Sequence, residues 1–141
     1  MDTAEKIRSF LSGDAFAVVG ASKDRSKYGN KVLRVYLQRN LRVFAVNPQE
    51  TAIEGVPCYP DLASLPQRVH GVSVVTPPAV TERVVEEAAA AGVRCVWMQP
   101  GAESEAALRR AQELGLVAIG GGPCVLVTLG YRESPGASQG V

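Results

Sequence analysis

The chain has 141 residues, of which 46% are hydrophobic and 21% are charged, and its formal net charge is +1. This length fits one domain, residues 1–141, that is large enough to fold without disulfides or metal. The near-neutral charge argues against a nucleic-acid binder with a broad basic face. No apolar run approaches the ~20 residues that a bilayer span needs, so we expect no membrane contact.

The three cysteines, Cys58, Cys95 and Cys124, are odd in number and widely spaced. They show neither a CxxC pair nor a Cys/His ligand pattern, so we predict neither a disulfide framework nor a metal site. The N-terminal segment carries acidic side chains and lacks the apolar stretch of a secretory leader. We therefore expect a cytoplasmic protein.

Strand-like and helix-like patterns alternate along the chain. An amphipathic helix is predicted within residues 1–13, and further helices at 30–39, 80–91 and 102–114. Strands are predicted for five short runs, at 15–20, 42–47, 71–76, 94–99 and 116–119. Several of these runs are almost continuously apolar and rich in β-branched residues, which is typical of parallel strands covered on both faces.

Two segments lack the hydrophobic periodicity of a helix or a strand. Residues 48–70 contain four prolines, which predicts an irregular crossover with little more than one helical turn around 61–65. Residues 125–129 form a short apolar segment, and the polar tail at 132–141 is expected to be frayed.

The alternation predicts an α/β fold: a doubly wound, parallel, five-stranded, Rossmann-like sheet of order 3-2-1-4-5 with helices on both faces. Ligands of such sheets bind beyond the carboxyl ends of the strands, at the switch point between strands 1 and 4. Functional residues are therefore expected directly after the strands, at 20–31, 47–48, 76–78, 99–101 and 120–124.

The segment after the first strand is strongly basic. It begins with a Gly-Ala-Ser turn at 20–22, and between residues 20 and 40 the one acid Asp24 is outnumbered by Lys23, Arg25, Lys27, Lys31, Arg34 and Arg39. Backbone N–H groups, a Ser hydroxyl, basic side chains and a helix N-terminus together suit phosphate groups. The pattern favours a polyanionic ligand such as a nucleotide or coenzyme A, although a solvated charged face would look similar.

Common nucleotide motifs are missing. There is no GxGxxG turn, and the second strand ends in Asn47-Pro48 where an NAD site carries an acid. A GxxxxGK[ST] loop and a carboxylate cluster for Mg²⁺ are also absent from the sequence. The favoured interpretation of the basic segment is therefore that it binds the phosphate groups of a longer ligand.

Several short motifs, taken in order, resemble the small stand-alone CoA-binding-domain proteins, which are similar to the N-terminal CoA-binding domain of the succinyl-CoA synthetase α subunit. The motifs are Gly-Ala-Ser at 20–22, Tyr-Gly at 28–29, Val-Asn-Pro at 46–48, Pro-Pro at 77–78 and Trp-Met-Gln-Pro-Gly at 97–101. The resemblance covers nearly the whole chain. It departs at Thr76 and at Gly122-Pro123, where many relatives carry charged residues close by.

The resemblance implies roles for individual residues. The CoA phosphates would meet the turn and the basic loop, namely Gly20, Ala21, Ser22, Lys23, Arg25, Lys27, Tyr28 and Lys31. The adenine or ribose would lie against Val46, Asn47 and Pro48. The pantetheine path would be flanked by Thr76, Pro77, Pro78, Gln99 and Gly101.

These observations predict a protein that binds coenzyme A or acyl-CoA and has no catalytic residues. An NAD(P)-binding or redox-sensing module, a partial acyl-CoA synthetase subunit that needs a partner, and an interaction protein with a vestigial crevice remain alternatives. A protein partner or a homo-oligomer is left open. His70 precedes the third predicted strand and is expected to be structural, and Cys124 is expected to be an inert thiol near the crevice.

Overall fold

Seven strands form one sheet in the computed structural model, which describes residues 1–133. They are β1 (Phe16–Val19), β2 (Val43–Val46), β3 (Ala52–Ile53), β4 (Val56–Tyr59), β5 (Gly71–Val74), β6 (Cys95–Met98) and β7 (Val117–Ile119). The order is β3-β4-β2-β1-β5-β6-β7, and all neighbours pair in parallel except β3 and β4. The α/β, doubly wound, Rossmann-like fold predicted from the sequence is confirmed.

Within residues 1–133, five α-helices connect or flank the strands: α1 (Thr3–Leu11), α2 (Tyr28–Gln38), α3 (Pro78–Ala90), α4 (Glu105–Glu113) and α5 (Val125–Thr128). A single 3₁₀ turn covers Leu62–Ser64. Local caps set several helix starts. Asp2 and Glu5 form a capping box on α1, Pro78 is the first residue of α3, and the Ser104 hydroxyl caps α4.

The predicted strand count and strand order were wrong. The proline-rich crossover contains a hairpin, β3 and β4, turned by Glu54 and Gly55, which both have positive φ (51° and 80°). A two-residue turn of this kind matches the twist of the flanking strands. Because β4 also pairs in parallel with β2, the five predicted strands are arranged 2-1-3-4-5, and β1 adjoins β5 instead of β6.

Both faces of the sheet are covered, because successive side chains point to opposite sides. On one face, Phe16 and Trp97 pack with Phe10 of α1 and Tyr36 of α2. The opposite face packs α3 and α4 against the remaining strand residues, among them Val72, Val96 and Met98. The sheet is therefore a rigid platform whose carboxyl edge carries the loops of interest.

The tail prediction concerns residues that the structure covers only in part. Residues 134–141 lie outside the described residues. Arg132 is held to α2, since its N–H donates to Gln38 Oε1 (3.1 Å) and its carbonyl accepts from Gln38 Nε2 (2.8 Å). Among residues 1–133, no helix is long and apolar enough to cross a membrane.

Candidate functional site

A crevice opens at the carboxyl edge of the sheet, where β1 and β5 lie side by side and the chain leaves them in opposite directions. Its first part has a volume of about 390 Å³ and is lined by Gly20, Ala21, Ser22, Lys27, Tyr28, Gly29, Asn47 and Val75. A second part of about 310 Å³ shares Val75 and continues along Thr76, Pro77, Pro100, Gly101 and Ala102. The loops after β1, β2, β5 and β6 therefore form one extended cleft.

Two wider concavities, of about 490 and 690 Å³, lie at the opposite, amino-terminal edge of the sheet. One lies between the 3₁₀ turn and the end of α3, and the other lies beside the start of β2. Neither is lined by a strand carboxyl end or by the N-terminus of an α-helix, so volume alone does not identify the ligand site. The topology of a doubly wound sheet favours the crevice at the switch point.

Gly20 and Gly29 bring helix α2 against the end of β1. Gly20 has φ +95°, and a β-carbon there would lie 2.0 Å from the Val75 carbonyl oxygen. A β-carbon on Gly29 would lie 2.1 Å from the Gly20 carbonyl oxygen. These two glycines provide the sharp turn and the close helix approach that a GxGxxG motif provides elsewhere, but they are separated by a longer loop.

The N-terminus of α2 is uncapped within the described residues. Lys27 occupies the cap position with an extended backbone, and no side chain accepts a hydrogen bond from the first turn. The first N–H groups of a helix lack intrahelical partners, and the helix dipole places partial positive charge at this end. Because Tyr28 and Gly29 line the crevice, this end of α2 offers a place for an anionic group.

The basic side chains of the loop differ in their surroundings. Lys23 lies 3.7 Å from Glu50, and Arg25 lies 3.2 Å from Glu54. Lys27 is exposed, lines the crevice and forms no ion pair within residues 1–133. The positive charge of the loop is therefore offset in part by Glu50 and Glu54, which lie just before and within the β3–β4 hairpin.

Two further predicted cations lie along α2, away from the lining of the crevice. Lys31 Nζ is 3.8 Å from Glu133, and Arg34 is 3.9 Å from the same carboxylate. The pKa of Glu133 is held below its ordinary value mainly by a hydrogen bond from Tyr131, with smaller contributions from Lys31 and Arg34. A contact of Lys31 with a ligand stays a prediction.

Asn47 links the ends of β2 and β1. Its Nδ2 donates to the Ala21 carbonyl (2.8 Å), and its Oδ1 accepts from the Gln49 N–H (2.8 Å). Val46 is buried and Pro48 is exposed beside it. The Asn47 side chain thus fixes the turn at Ala21 while forming part of the crevice wall.

Gln99 lies behind the crevice and is fully buried. Its Oε1 accepts from the Val125 N–H (2.9 Å) and from the Tyr28 hydroxyl (3.4 Å). Tyr28 also contacts Cys124 Sγ at 2.6 Å. Gln99 therefore joins α5 to the start of α2 in this structure, and its direct contact with a ligand stays a prediction.

Burial raises the pKa of Tyr28 well above its ordinary value, and the neighbouring Cys124 adds to the rise. The hydroxyl is consequently neutral at physiological pH and able to donate a hydrogen bond. Cys124 is half-buried at the start of α5. Tyr28 is thus a neutral polar group in a lining that also contains Ser22, Lys27 and Asn47.

The far part of the cleft is built by the loops after β5 and β6, and the loop after β7 is attached to the second of these. Thr76 Oγ1 lies 2.7 Å from Thr81 Oγ1, and Pro77 precedes the first residue of α3, Pro78. Glu103 accepts from the N–H groups of Gly101 (2.8 Å) and Gly121 (3.2 Å), so one carboxylate ties two of the loops together.

The structure brings most of the predicted site residues to one edge, but it also contains contributors that the sequence analysis missed. Val75 lines both parts of the cleft, and Glu50, Glu54 and Glu103 hold its loops. No sequence signal marked these residues, and Val75 lay inside the predicted strand 71–76, whereas β5 ends at Val74. His70 lies at the other edge, where Nε2 is 2.7 Å from the Ser9 carbonyl oxygen, in agreement with a structural role.

Residues 14–130 match the CoA binding domain family, so the chain belongs to this family. It is 37% identical over 71 residues to an ADP-forming acetate–CoA ligase I of Archaeoglobus fulgidus, covering 50% of this chain and 10% of the ligase. The chain spans about a tenth of the length of the curated ligases that it matches. The resemblance to CoA-binding domains predicted from the sequence is confirmed.

Solved structures also resemble this chain. A conserved hypothetical protein from Pyrococcus furiosus matches with a TM-score of 0.76 and 40% identity, covering 81% of this chain and 97% of that one. The dinucleotide forming acetyl-coenzyme A synthetase 1 of Ca. Korarchaeum cryptofilum, in its apo form, matches with a TM-score of 0.68 and 32% identity. That match covers 76% of this chain and 26% of the synthetase.

Proposed function

We propose that the chain binds coenzyme A or an acyl-CoA in the crevice at the carboxyl edge of the sheet. The observation that carries this proposal is the uncapped N-terminus of α2, pressed against the turn at Gly20 by the contact of Gly29. The diphosphate of a CoA molecule suits such a position, because N–H groups, the helix dipole and Lys27 all favour negative charge there.

The two parts of the cleft suit the two halves of the ligand. The phosphates would lie at the turn 20–22 and Tyr28, within reach of the flexible cations Lys23, Arg25, Lys27 and Lys31. The adenine or ribose would contact Val46, Asn47 and Pro48. The pantetheine arm would pass Val75 and run between Thr76, Pro77, Pro78 and Gly101, with Gln99 supporting the wall.

Binding without catalysis is the activity that the lining residues support. They supply backbone groups, a hydroxyl, cations and apolar surface, and the lining of the two parts includes no carboxylate or histidine that could act as an acid or base. Among residues 1–133, no cluster of metal-ligating side chains is present. A partial synthetase subunit, which would require a partner chain, and an NAD(P) module are the alternatives that the experiments below distinguish.

Calorimetry with CoA, dephospho-CoA, ADP and NAD tests the proposal. We expect CoA to bind more tightly than NAD, and affinity to fall as ionic strength rises, because phosphate contacts are screened by salt. Absence of any heat with millimolar CoA would overturn the proposal. Tighter binding of NAD would favour the dinucleotide alternative.

A charge-reversal variant tests the position of the phosphates. Ser22→Asp combined with Lys23→Glu places negative charge at the turn and should abolish CoA binding while the fold persists. The matched control is Ser12→Asp with Arg39→Glu, which makes the same net change at exposed residues near the opposite edge. Equal affinity of both double variants would place the phosphates elsewhere.

A further inference from the structure

Asn30 and Arg34 form a buried polar pair beneath the basic loop. Asn30 is fully buried and Arg34 is 5% exposed, although both carry strongly polar side chains. They lie four residues apart on α2 and therefore share one face of the helix. Arg34 Nε donates to Asn30 Oδ1 at 2.6 Å.

The pair reaches the loop at two separate points. Asn30 Nδ2 donates to the Ser22 carbonyl (2.9 Å), and an Arg34 Nη donates to the Arg25 carbonyl (3.0 Å). Since guanidinium groups only donate and backbone carbonyls only accept, the orientation of the Asn30 amide between them is fixed. The pair thus holds both the first residue and the middle of the loop 22–27.

Other contacts extend the same arrangement. The Asn30 amide also donates to Glu54 (3.0 Å), the residue that pairs with Arg25. The guanidinium of Arg34 stacks over the Tyr131 ring, 5.5 Å from its centroid. Within the loop, Asp24 accepts from Ser26 N–H, and Lys27 N–H donates to the Asp24 carbonyl. The loop is therefore a folded unit attached to α2 through Asn30 and Arg34.

We infer that Asn30 and Arg34 are positioning residues for the ligand loop: they set the conformation in which Ser22 and Lys27 face the crevice. This inference rests on the proposed function. Arg34, one of the six cations that predicted an anion site, would then act on the loop backbone from beneath instead of on the ligand. A loop held in its binding conformation saves the cost of ordering it when the ligand arrives.

The test is Asn30→Asp, which still accepts from Arg34 but can donate neither to the Ser22 carbonyl nor to Glu54, whose carboxylate it would repel. We expect hydrogen exchange at the amides of Asp24, Ser26 and Lys27 to accelerate about tenfold or more, and CoA affinity to fall by a similar factor. Exchange in β1 and β5 should stay unchanged, which a general loss of stability would not allow. The matched control is Asn40→Asp, at an exposed residue just beyond the C-terminus of the same helix.

A second variant covers the case in which Asn30→Asp does not fold. Arg34→Lys keeps the charge but not the planar fork that spans Asn30 and the Arg25 carbonyl, and Arg39→Lys is its control. Unchanged exchange in the loop would overturn the inference, and so would faster exchange with unchanged CoA affinity. If the unmodified protein binds no CoA, the proposed function fails, and the exchange rates still decide whether Asn30 and Arg34 hold the loop.

Discussion

Gly29 and Gly20 meet backbone to backbone: a β-carbon on residue 29 would lie 2.1 Å from the Gly20 carbonyl oxygen. Neither partner in this contact can move aside as a side chain would, because both belong to the main chain. The contact fixes how closely the N-terminus of α2 approaches the end of β1. It therefore controls the position of the N–H groups that we assign to the ligand phosphates.

Gly29→Ala should displace the start of α2 and weaken CoA binding. In an open helix the same substitution stabilises by up to about 1 kcal/mol, but here we expect a loss of about 1–3 kcal/mol in the free energy of unfolding from overpacking. Urea denaturation and calorimetry with CoA measure the two effects.

The control for this variant is Gly55→Ala in the β3–β4 turn. Gly55 also has positive φ (+80°), but a β-carbon there would meet nothing within 4 Å. Its cost should reflect backbone conformation alone, about 1 kcal/mol, with CoA affinity retained. If Gly29→Ala stabilised the protein and left CoA affinity unchanged, the close contact between Gly29 and Gly20 would not be needed for binding.

Lys27 and Lys23 should contribute unequally to CoA binding. Lys23 is already 3.7 Å from Glu50, whereas Lys27 lines the crevice with no ion-pair partner within residues 1–133. Lys27→Ala should therefore reduce affinity more, by up to about fivefold at low salt, which corresponds to ~1 kcal/mol for an exposed cation near a helix N-terminus. Calorimetry with CoA measures the affinity of Lys27→Ala, of Lys23→Ala and of the distant control Arg39→Ala. A larger loss of CoA affinity in Lys23→Ala than in Lys27→Ala would contradict the prediction.

The sequence predicted the sheet well where side-chain patterns were long and repetitive. The buried apolar runs of β1, β5 and β6 and the periodic helices α2, α3 and α4 were all found, with ends shifted by a few residues. The β3–β4 hairpin was missed because β3 has only two residues and Pro57 interrupts β4. Proline is tolerated there because Pro57 pairs only with Ala52 of the edge strand β3, and the pairing of β4 with β2 begins one residue later, at Cys58.

The site was predictable to the extent that strand order decides which loops meet. Residues directly after a strand, such as Ser22 and Asn47, could be anticipated from topology. The partners of the basic side chains could not be anticipated, since Glu50, Glu54 and Glu133 reach the basic loop and α2 through tertiary contacts only. A local charge count of the basic segment therefore overstated the positive charge available to a ligand.

The α3–α4 ion pair should give the protein a defined acid sensitivity. Arg110 Nε lies 2.6 Å from Glu86 Oε2, and this hydrogen bond holds the pKa of Glu86 below its ordinary value of 4.5. A carboxylate with a lowered pKa stabilises the fold above pH 4.5, and that contribution is lost as pH falls through the lowered value. The side chains are about half exposed, so the effect should be small.

Glu86→Gln should accordingly be less stable than the unmodified protein at pH 7, and the difference should shrink between pH 7 and pH 3, because falling pH protonates Glu86. Chemical denaturation at both pH values measures it. A double-mutant cycle with Arg110→Gln separates the pair from other effects of each substitution. An equal difference at pH 7 and pH 3 would assign the effect to packing instead of charge.

Cys124, which the sequence predicts to be an inert thiol, should instead be the first thiol to react in the native protein, because Cys58 and Cys95 are more deeply buried. Burial raises the pKa of Cys58 and of Cys95, so fewer of these thiols are ionised at a given pH, and both side chains are also shielded from reagents. Cys124 is half-buried beside Tyr28 at the rim of the crevice. A disulfide reagent at pH 8 should therefore label one thiol quickly, and Cys124→Ser should remove this fast phase while the control Cys58→Ser keeps it. Two fast-reacting thiols in the unliganded native protein would contradict this assignment of the fast phase to Cys124.

If CoA occupies the crevice as proposed, saturating CoA should slow the labelling of Cys124.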